Sequence, residues 1–560
     1  MDQLAAGDAG SRGAVYTKPE VVNFVLDLAG YTPDHDLADC RLLEPSFGSG
    51  EFLFEAVRRL VKSFEMNGGE LRKSSEHLQD SVRAVEISKE SVLEVRAGLA
   101  ELLGELGVPV GQSRELLDSW IIQDDFLLTD LPRVFSHVVG NPPYVRSERV
   151  PRALMAEYRS RYLTMYDRSD LYVPFFERGL DLLEAQGILS FVCADRWMKN
   201  RYGALLRQKI AGGYHLEAVV DFSQVDAFDS NVSAYPSVVA IRRSTRGENS
   251  LGPTLNVPAE SVKLSDLGKL ASELRSDETD PPSGSRYHAI VGVAKGREPW
   301  ILDAPQDLAL LRRLEAEFPP LESVGCRVGI GVATGADAVF IRHREEIDIE
   351  TTRQLPIAMA SDVTETGVQW SNKVLANPYE HSGQLVDLKR YPKLSRYLQA
   401  HKERLRSRHV ARKQPHRWYK TIDRVWADLT TRPKLLIPDI KGAARVGYDD
   451  GKLYPHHNLY YVVSESPKGW DLHALQAVLR SCVAEFMVSM YCVKMRGGYL
   501  RFQAQYLRRI CLPAWETLEK SLQQRLVEAS KKPRDVCDSV ALELFGITSS
   551  ESEILESYRK

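Results

Sequence analysis

Asn141, Pro142, Pro143 and Tyr144 follow one another directly after the apolar run Phe135–Gly140. That run reads as a buried strand closed by a breaker, and two consecutive prolines lead the chain out of it along a stiff, preset path. One short amide and one aromatic ring are thereby held at the carboxyl end of a strand, where ligands bind in open α/β sheets. Taken alone, four such residues also serve as an ordinary strand-terminating turn.

Three earlier segments carry groups of the same kind. The short strand Arg41–Leu43 leads into Glu44-Pro45-Ser46-Phe47-Gly48-Ser49-Gly50, and a helix opens at Glu51. A glycine loop lets backbone approach a ligand closely, and a helix N-terminus offers free N–H groups. Neither the Gly-Lys-Ser/Thr of a phosphate loop nor the Gly-x-Gly-x-x-Gly dinucleotide spacing is present. An acid followed by Gly-x-Gly suits instead a ligand carrying a positive sulfonium and an amino-acid moiety. Val82–Ile87 is a second strand, with Glu86 placed to accept ribose hydroxyls. Trp120–Leu127 is a third, whose Asp125-Phe126 pair can accept an adenine amine and cover its ring.

The elements that must position these groups begin with a helix after Thr17. Thr17 is the expected N-cap, Pro19 and Glu20 fit the first turn, and Val21, Val22, Val25 and Leu28 form an apolar stripe ending at Gly30. Residues 1–12 are small and polar and read as disordered. Ser237–Ile241 reads as a late strand of the same sheet. Loop-like composition places a connector at 244–300, a second domain at 301–545 and a tail at 546–560. Within the second domain, Val328–Ile341 reads as paired strands with tight turns.

A chain of 560 residues exceeds one core, and its 43% apolar and 27% charged content is that of a globular protein. No apolar run is long enough for a bilayer, and the N-terminus lacks the pattern of a signal peptide. Seven cysteines without a Cys-x-x-Cys pair argue against a disulfide framework and a structural zinc site, and favour a reducing cytoplasm. The net charge is −3, yet between Lys389 and Arg445 there are 17 Lys or Arg against four acids. Such segregation is what a localised phosphate-binding surface requires.

The order of these motifs resembles the gamma-class adenine-N6 DNA methyltransferases of bacterial type II restriction–modification systems, in particular those with a large C-terminal specificity domain. The likeness covers most of 13–243, including Ser169–Gly179, Asp195-Arg196-Trp197 and Arg201-Tyr202-Gly203. It implies an α/β fold: a doubly wound, Rossmann-like class I methyltransferase domain over 13–243, followed by a mixed α+β target-recognition domain. The implied cofactor is S-adenosyl-L-methionine, bound by Tyr16, Thr17, Glu44, Pro45, Gly48, Gly50, Glu86, Asp125 and Phe126, with no metal. The implied catalytic group is Asn141, Pro142, Pro143 and Tyr144, acting on an adenine flipped out of the duplex. Phe228 is a candidate for the base's opposite face, and Arg417, Trp418, Arg496 and Arg501 for contacts with double-stranded DNA. A bacterial cytoplasmic monomer, associated with the nucleoid while acting and paired with a separate cognate endonuclease, completes the expectation.

The same tetrapeptide occurs in protein-glutamine and some RNA methyltransferases, but those enzymes leave a basic C-terminal half of this size unexplained. A bifunctional restriction–modification polypeptide needs a nuclease ahead of the first helix, which begins within the first twenty residues. A DNA-binding protein with a decayed site does not account for the intact acids and Asn141.

Overall fold

The computed structural model describes residues 16–228, 236–244, 252–276, 285–365, 367–441, 445–465, 469–492 and 500–558. The expected disordered stretch 1–12 and Arg496 lie outside the described residues. The chain divides into two compact units, residues 1–305 and 306–560.

The first unit is built on a nine-stranded sheet. Its strands are β1 (Leu42–Glu44), β2 (Val82–Glu86), β3 (Ile121–Gln123), β4 (Phe135–Gly140), β5 (Leu183–Ala194), β6 (Tyr214–Asp221), β7 (Pro236–Arg243), β8 (Thr254–Val257) and β9 (His288–Ile290). They lie in the order β3-β2-β1-β4-β5-β7-β6-β8-β9. β3, β2, β1, β4 and β5 run parallel, and β7 is inserted antiparallel between β5 and β6. The chain leaves β1 for β2 on one side and reaches β4 on the other, which opens a crevice at their carboxyl ends. Apolar residues such as Leu42, Val82, Ala84 and Val139 are buried in the core beneath it.

Helix α1 (Pro19–Leu28) buries Val21, Val22, Phe24, Val25, Leu26 and Leu28. Its cap position is Lys18, without a side-chain cap, and Thr17 lies one residue earlier than the expected N-cap. Proline sits readily at the first helical position and disfavours helical backbone before it, so Pro19 sets the boundary and leaves Thr17 outside the helix. Thr17 instead pairs with Phe228 in a lone antiparallel bridge. Helix α2 (Glu51–Met66) follows the glycine loop as expected. The third strand is shorter than its sequence suggests. Trp120 closes helix α3 (Val110–Trp120), fully buried with Leu116 and Leu117, its indole donating to the Leu78 carbonyl over 2.9 Å.

The expected connector is part of the first unit. β8 pairs with β6 and β9 with β8, while Leu267, Leu270 and Leu274 of helix α4 (Leu267–Leu274) join the core that holds Val21 and Phe24. Its polar loops conceal a β-ladder and an amphipathic helix that periodicity over so short a length does not resolve.

The second unit is mixed α+β. One sheet has the order β10 (Cys326–Ile330), β18 (Leu459–Ser464), β14 (Lys434–Pro438), β16 (Gly447–Asp449); another is β11 (Ile341–His343), β13 (Lys373–Ala376), β12 (Gln354–Ala358), β17 (Tyr454–Pro455). A further two-stranded ladder joins β15 (Ile440–Lys441) to β19 (Leu500–Arg501). The strands expected to pair within 328–341 belong to different sheets, with β10 on β18 and β11 on β13. Between them the Thr334 hydroxyl accepts the Ala336 N–H over 3.0 Å and starts the short helix α5 (Asp337–Phe340) in place of a hairpin turn. Residues 546–560, expected as a tail, contain the helix Ser549–Glu556, begun by a Thr548/Glu551 capping box. Among the described residues, no helix is long and apolar enough to cross a membrane.

Candidate active site

The carboxyl ends of β1, β2 and β4 and the segment after β3 surround a cavity of about 250 Å³. Tyr16, Thr17, Glu44, Pro45, Gly48, Glu86, Asp125, Phe126, Asn141 and Pro143 all line it. Gly50 does not; it opens α2 at φ +89°, where a Cβ would come within 2.9 Å of Phe54 and 3.0 Å of Val95. Its role is to let the loop turn against the helix. Seven acids line the cavity (Glu44, Glu51, Glu86, Glu90, Glu94, Asp124 and Asp125), and no Lys, Arg or His does so among the described residues. That lining repels phosphate and selects a cation.

Glu44 stands at the tip of β1 with 1% of its surface exposed, and its Oε2 has no hydrogen-bond partner among the described residues. Burial, with Glu51 and Glu86 adding negative charge, pushes its carboxyl well above the usual range. A bound cation would supply the missing compensation. Glu86 is more than a ligand candidate: its Oε2 accepts the Gly48 N–H at 3.0 Å and its Oε1 the Ser88 N–H at 2.8 Å. The tip of β2 thereby braces the glycine loop.

Asp125 accepts the Tyr158 hydroxyl at 2.6 Å and the Leu127 N–H at 2.9 Å, and burial still raises its carboxyl. Phe126 packs on Phe175 at 5.0 Å under the Arg178 guanidinium. Tyr158, Phe175 and Glu51 line the same cavity. Sequence reading does not assign them, although Phe175 lies in a stretch it matched and Glu51 ends the loop it singled out.

Asn141 is anchored by its side-chain Nδ2, which donates to the Thr17 hydroxyl over 3.2 Å. The Val145 N–H donates to the Pro143 carbonyl at 3.0 Å, so the tetrapeptide closes as a tight turn around Tyr144. The Tyr144 hydroxyl is sealed from solvent without a hydrogen-bond partner among the described residues, and burial raises its pKa well above the usual phenol value. Phe228 lies 6.3 Å from the Tyr144 ring at 75°, an edge-to-face pair. The two rings are therefore walls of one corner and not the parallel faces expected of them. Asp195, just past the end of β5, is an unassigned acid whose carboxyl is raised to about 6 by burial.

The second unit redistributes the expected DNA-contacting residues. Arg417 is exposed, whereas Trp418 is 8% exposed and part of the unit's core. Arg501 is ion-paired with Asp439. The exposed tryptophan of the basic segment is Trp426, 53% exposed with the Arg424 guanidinium over its ring at 5.2 Å. The sequence signal for this is the alternation Arg424-Val425-Trp426, which buries Val425 and turns its neighbours outward. Part of the basic charge is structural. Lys434 is fully buried and paired with Asp449 at 2.6 Å, and Arg408 donates to the carbonyls of Thr334, Trp418 and Lys420.

Residues 110–228 match the Eco57I restriction-modification methylase family, and residues 381–512 match the TaqI-like C-terminal specificity domain. The type II methyltransferase M.PaeR7I of Pseudomonas aeruginosa is 47% identical over 554 residues, spanning 98% of this chain and 94% of that relative. The chain belongs to the type II methyltransferases of restriction–modification systems. M.XhoI of Xanthomonas vasicola is 44% identical to this methyltransferase, over 97% of the chain and 99% of the relative. In fold it is similar to the type IIL restriction-modification enzyme MmeI in complex with DNA, with a TM-score of 0.58 at 12% identity, covering 97% of this chain and 75% of that one. This methyltransferase modifies DNA site-specifically, with a catalytic first unit and a specificity domain in the second.

Proposed function

We propose that the enzyme methylates the N6 amine of one adenine in a specific duplex sequence and protects that sequence from a separate cognate endonuclease. The observation that carries this reading is Asn141, fixed by Thr17 at the tip of β4 on the wall of a cavity whose charged lining, among the described residues, is entirely acidic. S-adenosylmethionine supplies the methyl group as a sulfonium when bound. Glu44, buried and without a partner for its Oε2 among the described residues, fits the positive end of that cofactor. Glu86 keeps lone pairs for ribose hydroxyls, and Asp125 with Phe126 holds an adenine edge and face.

An exocyclic adenine amine is a poor nucleophile because its lone pair is delocalised into the ring. The Asn141 Nδ2 is turned to Thr17, and its amide oxygen accepts one amine hydrogen while the Pro142 carbonyl accepts the second. Two acceptors draw the nitrogen towards a tetrahedral geometry and free the lone pair, so the amine attacks without prior deprotonation. The methyl would leave its sulfur as a thioether, and the proton that the methylated nitrogen sheds would pass along the same acceptors to solvent. Tyr144 stacks on the base, and positioning supplies most of the rate. The target atom is inaccessible in a duplex, so the base enters this site flipped, while the exposed cations of 389–424 hold the backbone. The enzyme acts as a monomer in the cytoplasm.

Nucleoside mass spectrometry on DNA from cells expressing the enzyme tests the reading, with single-molecule sequencing to locate the motif. N6-methyladenine in one recurrent sequence is expected. Methylcytosine alone, or methylation of protein or RNA without DNA, overturns it.

A further inference from the structure

In the second unit, Asp337, His456 and His457 point one ligand atom each at a common place. The His456 Nε2 lies 3.1 Å from the Asp337 Oδ2 and 2.9 Å from the His457 Nδ1, and all three atoms fall within 4.8 Å of one another. We infer that this is a binding site for a divalent first-row transition ion, zinc foremost, which ties helix α5 to the turn between β17 and β18.

Proton counting points first to an ion. A neutral imidazole nitrogen carries either a hydrogen or a lone pair. The His456 Nε2 faces a carboxylate oxygen and a second imidazole nitrogen, and it has one hydrogen at most to satisfy both. A cation uses all three lone pairs at once. Zinc bonds of about 2.0–2.2 Å place tetrahedral ligands roughly 3.3 Å apart, close to the observed separations. Two nitrogens and one carboxylate oxygen suit zinc and its neighbours better than magnesium or calcium, which favour oxygen.

The framework is also built for it. His456 is 2% exposed, so its ring is held in place by the packing around it. The His456 N–H donates to the Ala358 carbonyl at 3.0 Å, and the His457 N–H to the Val332 carbonyl at 3.0 Å. The second oxygen of Asp337 is held by the Thr334 hydroxyl, an outer partner that orients the ligand. Asp337 remains 45% exposed on a cleft of about 310 Å³, which leaves the ion a path from the Asp337 side. The absence of Cys-x-x-Cys pairs hides such a site from a reading of cysteine spacing.

The test uses full-length, untagged protein stripped with a chelator, titrated with Zn²⁺ by calorimetry and with Co²⁺ by visible absorption. One Zn²⁺ per chain and an intense tetrahedral Co²⁺ spectrum are expected. Asp337→Asn and His457→Gln, both at partly exposed positions, should each weaken binding at least about tenfold with unchanged circular dichroism. Zinc binding of equal strength in the double variant overturns the site, as does a wild-type Co²⁺ spectrum no different from that of the free ion.

Discussion

The Asn141 side chain donates to the Thr17 hydroxyl over 3.2 Å, joining residues 124 positions apart. The segment before α1 thus sets which edge of the Asn141 amide is turned to Thr17, besides lining the acid-rich cavity. Thr17→Val should cost about 0.5–1.5 kcal/mol at the methyl-transfer step, roughly three- to tenfold in single-turnover rate, with Thr17→Ser close to wild type. Asn141→Ala should abolish transfer with cofactor binding retained. A Thr17→Val enzyme of normal rate would remove the hydroxyl from positioning.

Glu44→Gln separates cofactor recognition from stability. Its folded carboxyl is raised, so the stability this group contributes is greatest at low pH and is lost as pH rises. The ligand-free variant should therefore melt above wild type at pH 8, with the difference gone at pH 4. Affinity for S-adenosylmethionine should fall roughly ten- to hundredfold in equilibrium dialysis. Unchanged affinity would place the cation elsewhere.

Two tryptophans eight residues apart should behave oppositely. Trp426→Ala should weaken binding of cognate duplex in fluorescence anisotropy and leave the unfolding midpoint in place. Trp418→Ala, by emptying a buried ring position, should cost about 3–5 kcal/mol in denaturant unfolding. The reverse pattern would return the DNA contact to Trp418.

The Lys434–Asp449 pair is fully desolvated, so removing one partner strands the other. Asp449→Asn should destabilise the second unit by about 3–5 kcal/mol. A loss below 1 kcal/mol in urea unfolding would show that the Thr430 and Arg432 carbonyls, which the Lys434 ammonium also donates to, suffice for its charge.

Asp195 titrates near 6 because burial, aided by Asp221, outweighs Lys199 and Arg196. Its contribution to stability is full below the unfolded carboxylate value, near 4, and withdraws as pH rises through about 6. Asp195→Asn should then exceed wild type by roughly 1–3 kcal/mol at pH 8 and match it at pH 4. Parallel pH profiles for both proteins would reject this.

The strand tips were legible because each couples a short apolar run to a breaker and a chemically distinctive residue; Glu44, Glu86, Asp125 and Asn141 all reach one cavity. Bracing contacts were not, because they join distant segments: nothing near Glu86 announces that it accepts the Gly48 N–H. Trp418 misled for a related reason. A basic–aromatic string looks the same whether its ring turns outward or, as here, into a core assembled from residues 332–463. The His456 site was equally hidden, since its third member is supplied by Asp337, 119 positions earlier.

β8 continues the first sheet past β6 through Ala218, Val219 and Val220. A fragment ending at Arg243, the boundary composition suggests, would strip that neighbour and bare a row of N–H and C=O groups on a long apolar strand. Such an edge recruits other chains. A catalytic half cut there should precipitate, and its silence in an assay would then report self-association; a cut after Pro305 keeps the edge covered.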